Sequence, residues 1–221
     1  MFLHKHPYPP FIPKDATKLI VGTLPPPRFS TGMLKSGDVD FCYGSIDGQL
    51  WVILNRIFQL HLDFETTEKA IQQRKVFLEK HKIGICDMVE SAYRAKIDAS
   101  DIGMQQVTYR NLIGYLRKFP TVDTLLFTGG NSKNGPEYFF RKHLKEYGIS
   151  LKLISTETPK IHEFSLDGRT IQTVSLTAPS GSANRAVGSN PQYKAMKQKN
   201  PNYTTIDFRV AQYTPFFMDK K

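Results

Sequence analysis

Thr170-Ile171-Gln172-Thr173-Val174-Ser175-Leu176 runs without a break into Thr177-Ala178-Pro179-Ser180-Gly181-Ser182-Ala183-Asn184-Arg185. The first half is rich in β-branched and apolar residues, as a strand is. The second is small, polar and broken by proline and glycine. Such a loop can approach a phosphodiester backbone closely. Gly181 has no Cβ and Pro179 fixes φ, while Ser180, Ser182 and Asn184 offer short donors and Arg185 a cation. The plainer alternative is a surface turn, which the same residues also build. The rest of the chain decides between them.

Four more short runs read as strands: Lys18 to Gly22, Lys82 to Cys86, Asp123 to Thr128 and Ser150 to Ile154. Helical patterns lie between them. Gln49 to Leu60 gathers Trp51, Ile53, Leu54, Ile57 and Phe58 on one face, and Thr67 to Lys82 gathers Ala70, Ile71, Phe77 and Leu78. Thr108 to Phe119 and Glu137 to Tyr147 supply two further helices. Strands alternating with helices predict a three-layer α/β/α sandwich around a mainly parallel sheet of four to five strands. One domain over residues 1–221 is expected, with a core of about 15–190 and a C-terminal extension over 190–221. Overlapping its start, Gly188 to Asn202, with Lys194, Lys197 and Lys199, reads as a mobile stretch.

Functional loops in such a fold sit at the carboxyl ends of the strands. Here these are Thr23 to Gly48, Asp87 to Asp101, Gly129 to Pro136 and Ala178 to Ser189, which should converge on one edge. The first is long for a strand-to-helix connection, and long loops in compact domains tend to be functional.

The formal net charge of +10 and pI of about 9.5 favour a polyanionic partner, most often nucleic acid. Cys42 and Cys86 have no Cys-x-x-Cys spacing and read as buried thiols, which leaves no basis for a disulfide framework, a structural zinc or an iron–sulfur cluster. The six histidines do not cluster at ligand spacing with Cys, Asp or Glu, so no metal site is expected. Met1 to Lys14 has no apolar targeting segment and no stretch reaches the length of a membrane span. The expectation is a cytoplasmic, nucleoid-associated protein with no membrane partner.

Within the loops, Thr23-Leu24-Pro25-Pro26-Pro27-Arg28 is stiffened by three prolines, and Arg28 can reach an anion. The alternative is a rigid turn. Phe41-Cys42-Tyr43-Gly44-Ser45-Ile46-Asp47-Gly48-Gln49-Leu50-Trp51 joins aromatics that can stack on an extruded base to a single acid that can position water. Taken by itself, Asp47 reads first as a cap of the following helix. Asp87 stands where a strand ends, a place that favours ligand contact, while Asp98 and Asp101 read as turn and helix-start residues. Gly129-Gly130-Asn131-Ser132-Lys133-Asn134-Gly135 has the glycine spacing of a Walker A loop, but Pro136 takes the lysine position and excludes it. Asn131 keeps an amide able to read a base edge.

In this order the segments resemble the uracil-DNA glycosylase superfamily, closest to its hypoxanthine-DNA glycosylase and mismatch-specific uracil-DNA glycosylase branches. Val21-Gly22-Thr23-Leu24-Pro25 is similar to the first active-site motif and Tyr43 to Trp51 to the aromatic-Gly-to-Trp segment. Gly84-Ile85-Cys86-Asp87 also matches, and Ala178 to Asn184 is similar to the DNA-probing second motif. The resemblance implies base flipping and hydrolysis of the N-glycosidic bond of a deaminated base, uracil or hypoxanthine, in DNA, with no cofactor. The chemistry requires an oxocarbenium-like sugar and an anionic leaving base to be stabilised.

The chain departs from that pattern at the asparagines. The hypoxanthine branch places one where Gly48 stands, and the mismatch branch carries one in the first motif, where this chain has Leu24. Asp47 is therefore the expected catalytic residue. Phe41, Tyr43, Asp87 and Asn131 are the expected base-binding residues. Pro25, Arg28, Pro179, Ser180, Gly181, Ser182, Asn184 and Arg185 are expected to hold DNA. Ser182 fills a slot that favours a bulky apolar wedge. The expected partner is DNA with a damaged base, bound by a monomer. The competing readings are a DNA-binding module that has lost catalysis and an α/β enzyme acting on a small nucleotide.

Overall fold

The computed structural model describes residues 1–97 and 101–218. Its strands are β1 (Phe2–Lys5), β2 (Lys18–Gly22), β3 (Ile83–Asp87), β4 (Val89–Arg94), β5 (Met104–Tyr109), β6 (Thr124–Phe127), β7 (Lys152–Ser155), β8 (Lys160–Leu166) and β9 (Arg169–Ser175). Its helices are α1 (Pro27–Ser30), α2 (Leu50–Phe58), α3 (Glu68–Lys80), α4 (Leu112–Lys118), α5 (Pro136–Lys145), α6 (Asn184–Ser189), α7 (Pro191–Lys199) and α8 (Thr205–Phe217).

The central sheet has the order β3-β2-β6-β9-β8-β7. Its first four strands are parallel, and β8 and β7 continue it antiparallel. Side chains alternate across its plane, as the pleat requires. Leu19 and Val21 of β2, Cys86 of β3, and Leu125 and Phe127 of β6 pack on one side with Ile113 of α4 and Phe140 of α5. Ile20, Ile83, Ile85 and Leu126 pack on the other with Trp51 of α2, Phe77 of α3 and Tyr213 of α8. Each central strand is thus buried on both faces, which is why it reads as a short continuous apolar run, and the architecture is an α/β/α sandwich.

The sheet has six strands, not four to five. The additional strand, β8, forms a hairpin with β9 around Asp167-Gly168, both in the left-handed region at φ 52° and 79°. A second, three-stranded antiparallel sheet, β1-β4-β5, was not foreseen. Thr108 and Tyr109, expected to open a helix, end β5 instead, and Asn111 caps α4 through its side chain on Gly114 N–H.

The C-terminal segment is built into the body. Residues 184–199 form α6 and α7, and α8 buries Phe208, Arg209, Tyr213 and Phe217. Thr204 and Asp207 close a capping box at the start of α8. Among the described residues, no helix is long and apolar enough to cross a membrane.

Candidate functional site

β2 and β3 end side by side, with Gly22 paired to Asp87, and Thr128 follows β6 at the same edge, its N–H donating to Val21 O. Asp87 is only 5 % exposed. A carboxylate buried this far needs donors. His6 supplies one from the N-terminal segment, with Nε2 2.7 Å from Asp87 Oδ2. The Tyr8 N–H donates to His6 Nδ1 at 3.1 Å, so the ring proton sits on Nε2 and points at Asp87.

Tyr43 completes the cluster. Its backbone is left-handed at φ 58°, a conformation a tyrosine adopts only under constraint from its surroundings. That turn swings the ring over Gly22 and brings Oη to 3.2 Å from Thr128 Oγ1, beside Asp87. A Cβ on Gly22 would overlap both Tyr43 Oη and Asp87 Oδ1, so this glycine is required by close approach. Burial, reinforced by the charge of Asp87, raises the Tyr43 phenol well above its ordinary range and keeps it protonated.

A second acid lies next to the first. Asp101 Oδ2 accepts from Thr23 Oγ1 at 3.0 Å, and the Asn134 amide holds this segment by donating to the carbonyls of Asp101 and Met104 at 2.8 and 3.3 Å. Burial is the main influence on Asp101. With the nearby Asp87 adding to it and Thr23 and Arg94 opposing, its carboxyl is pushed up to about 6.

The two loops expected to face DNA leave the same edge of the sheet and meet each other. Gly48 bridges to Ser180, and Gln49 N–H donates to Pro179 O at 2.8 Å. Arg209, fully buried on α8, holds the second loop from behind by donating to Ala178 O, Ser180 O and Asn184 Oδ1 at 2.9, 3.1 and 2.9 Å. Gly181, Ser182 and Arg185 are left exposed at the surface, Ser182 within 3.0 Å of Ser180 Oγ, while Pro179 is buried.

The other expected residues are placed differently. Arg28 forms a two-pronged ion pair with Asp38 at 2.7 and 2.8 Å and also donates to Ser45 Oγ, so it braces the 35–47 loop. Burial alone would raise Asp38, but the Arg28 guanidinium and the Ile46 and Lys35 N–H groups outweigh it and hold the carboxyl at about 2. Asp47 lies on the rim with its side chain 60 % exposed, paired with Lys35 at 2.8 Å and Arg28 at 3.2 Å. It does not cap α2, whose N-cap is Gln49. Phe41 is in the core, 7 % exposed, packed between Phe11 and Trp51. Pro25 is half-buried just past β2. Asn131 is exposed and lines a cleft of about 400 Å³ against Tyr138, Arg141 and Lys142 of α5, which shares no residue with the Tyr43–Asp87 cluster. Asp98 lies outside the described residues.

Of the expected residues, then, the structure brings Tyr43 and Asp87 together, while Asp47 pairs with Arg28 and Lys35 and its neighbour Gly48 joins the 178–184 loop. His6, Thr128, Asp101 and Arg209 had not been singled out as site residues. Thr128 was accessible from its place after a strand at this edge. His6 and Arg209 carry no local signal, because their partners are 81 residues away and 25 to 31 residues away respectively. Among the described residues, no group of three or more His, Cys, Asp or Glu is placed to hold a metal ion. Cys42 and Cys86 are buried free thiols.

No family model matches the chain, and no curated protein matches it either. Its structure is similar to the solution NMR structure of a "putative Uracil DNA glycosylase" from Methanosarcina acetivorans, with a TM-score of 0.53 and 14 % sequence identity over 94 % of this chain and 99 % of the other. At that identity the likeness is one of fold, and the fold of this chain is the α/β/α sandwich that the two share.

Proposed function

We propose that this protein is a DNA glycosylase of base excision repair that flips a deaminated base, uracil or hypoxanthine, out of DNA and hydrolyses its N-glycosidic bond. The observation that carries the reading is the placement of Tyr43 against Asp87 at the carboxyl edge of the sheet, the edge from which two mutually hydrogen-bonded loops also leave, in a fold shared with a protein described as a glycosylase. The formal charge of +10 suits a DNA partner.

In this reading Tyr43 stacks on the extruded base. Asp87, oriented by His6, faces the sugar, where a carboxylate stabilises the developing oxocarbenium charge and orients the attacking water. Asp101, which holds its proton up to about pH 6, donates toward the departing base. Asp47, engaged by Lys35 and Arg28 at the rim, is assigned to the mouth of the site. Gly181, Ser182 and Arg185 meet the flanking phosphates.

One observation favours the second reading, a DNA-binding module without catalysis: Asp87 is almost wholly covered, and neither the α5 cleft nor a second cleft of about 460 Å³ along α8 reaches it. Excision from duplexes carrying uracil or hypoxanthine, with enzyme in excess and alkali to reveal abasic sites, separates the two. Cleavage supports the glycosylase. Salt-sensitive binding without cleavage of either lesion supports the module.

A further inference from the structure

Three cations and no acid line the cleft of about 400 Å³ along α5. Arg141, Lys142 and Lys145 fall three and four residues apart, so they share one face of the helix. A row of helix cations is ordinarily a solvated face. Here one of the three is fixed from behind. Arg141 Nε donates to Glu137 Oε1 at 2.7 Å and Nη2 donates to His162 Nε2 at 2.8 Å, which leaves the imidazole proton on Nδ1. Glu137 is 1 % exposed and also accepts from Ser175 Oγ. The guanidinium is thus clamped at two nitrogens, and its Nη1 has no hydrogen-bond partner among the described residues.

Glu137 neutralises Arg141, so the charge left over is that of the two lysines. Both are exposed and neither makes an ion pair among the described residues; Lys142 Nζ lies 4.7 Å from the centre of the Tyr138 ring. Two uncompensated cations match a phosphate monoester, which carries a charge of about −1.5 to −2 at neutral pH, better than a phosphodiester or a carboxylate with one. The remaining lining is of another kind. Ile149 and Leu151 are half-buried and apolar, and Asn131 brings an exposed amide with both a donor and an acceptor. An anionic head, a flat apolar body and an edge to be read are the three parts of a nucleotide, and the cleft is of a size to hold a small molecule.

We propose that the α5 cleft is a second nucleotide site, which takes a nucleoside monophosphate with its phosphate on Lys142, Lys145 and Arg141 and its base over Ile149 and Leu151 within reach of Asn131. The monoester comes either from a free mononucleotide or from the 5′-phosphorylated end of a strand. The cleft shares no residue with the Tyr43–Asp87 cluster, so this site does not depend on the glycosylase reading.

The test is calorimetric titration of 2′-deoxyadenosine 5′-monophosphate, 2′-deoxyadenosine and inorganic phosphate into wild type and Lys142→Gln/Lys145→Gln, with melting temperature recorded to verify folding. Charge-assisted contacts to the phosphate should make the monophosphate bind wild type at least about tenfold more tightly than either fragment does, and at least about tenfold more tightly than it binds the variant. Asp87→Asn should bind it as wild type does, which separates this site from the other. No saturable binding by wild type at millimolar monophosphate, equal binding by the lysine variant, loss of binding in Asp87→Asn, or inorganic phosphate binding as tightly as the nucleotide overturns the proposal. A deoxyadenosine dinucleotide with and without its 5′-phosphate then identifies the source. Binding of the phosphorylated form alone assigns the cleft to a strand end, and binding of neither assigns it to the free mononucleotide. Equal binding of the two forms overturns the monoester assignment.

Discussion

His6 reaches across 81 residues of sequence to point its Nε2 proton at the Asp87 carboxylate, 2.7 Å away. The pair joins the N-terminal segment to the end of a central strand and leaves a buried acid oriented toward Tyr43 and Thr128. Replacing His6 by Ala strips Asp87 of its donor. An unpaired buried polar group costs about 1–3 kcal/mol, and denaturant unfolding should register a loss of that size. Excision should fall well beyond what the lost stability accounts for at a temperature where the variant remains folded.

Gly22 tests the close approach of Tyr43 and Asp87. The methyl group of Gly22→Ala needs space that both side chains occupy. Crowding of this kind costs about 1–3 kcal/mol. The variant should therefore fold with lowered stability but bind a flipped base poorly, which titration with an abasic-analogue duplex carrying free base would measure. Unaltered activity would mean that the two groups do not need their observed positions.

Arg209 connects the C-terminal helix to the DNA-facing loop. Arg209→Met keeps the apolar volume of the stem but leaves the Ala178 and Ser180 carbonyls without their donor. Each unsatisfied buried acceptor costs on the order of 1–3 kcal/mol. Duplex affinity, measured by fluorescence anisotropy at fixed salt, should weaken together with stability. Arg185→Ala, on the exposed start of α6, should weaken duplex binding and reduce its salt slope without altering stability.

Asp101 gives a pH signature independent of activity. Its carboxyl is raised from 3.8 to about 6, mainly by burial, so the folded protein holds this proton more tightly than the unfolded chain does. The resulting stability is fully present below pH 3.8 and is lost as pH rises to about 6, an effect on the order of 1–3 kcal/mol. Asp101→Asn should flatten the unfolding free energy across that window. In single-turnover excision the same variant should lose the limb that wild type shows near pH 6.

The sheet's parallel half was legible because β2, β3, β6 and β9 are buried on both faces and stand as short apolar runs between helical patterns. Their bounds moved by at most one residue at either end. β8 was missed although Asp167-Gly168 is a strong hairpin signal. The run before it, Lys160–Leu166, alternates around His162, Phe164 and Leu166 and carries charges on its open side, which disguised it. β4 has breaks in register with β5, and β1 lies among prolines and histidines, so neither shows a clean period of two. At the candidate site, Asp87 was legible from its place at a strand end and Tyr43 from the aromatic segment that precedes α2. His6, Asn134 and Arg209 were not, because each acts through long-range contacts with groups that no local pattern identifies.

The measurement that tests the central claim most directly compares single-turnover excision of uracil and hypoxanthine from duplex DNA by wild type, Asp87→Asn and Asp47→Asn. Asn at 87 keeps an acceptor for His6 but removes the charge. Loss of one electrostatic partner of the transition state costs on the order of a hundredfold or more, so wild type should cleave, Asp87→Asn should be slowed by at least about that factor, and Asp47→Asn should stay within about tenfold. Cleavage by Asp87→Asn at the wild-type rate, or salt-sensitive binding by wild type with no cleavage of either lesion, would contradict the assignment.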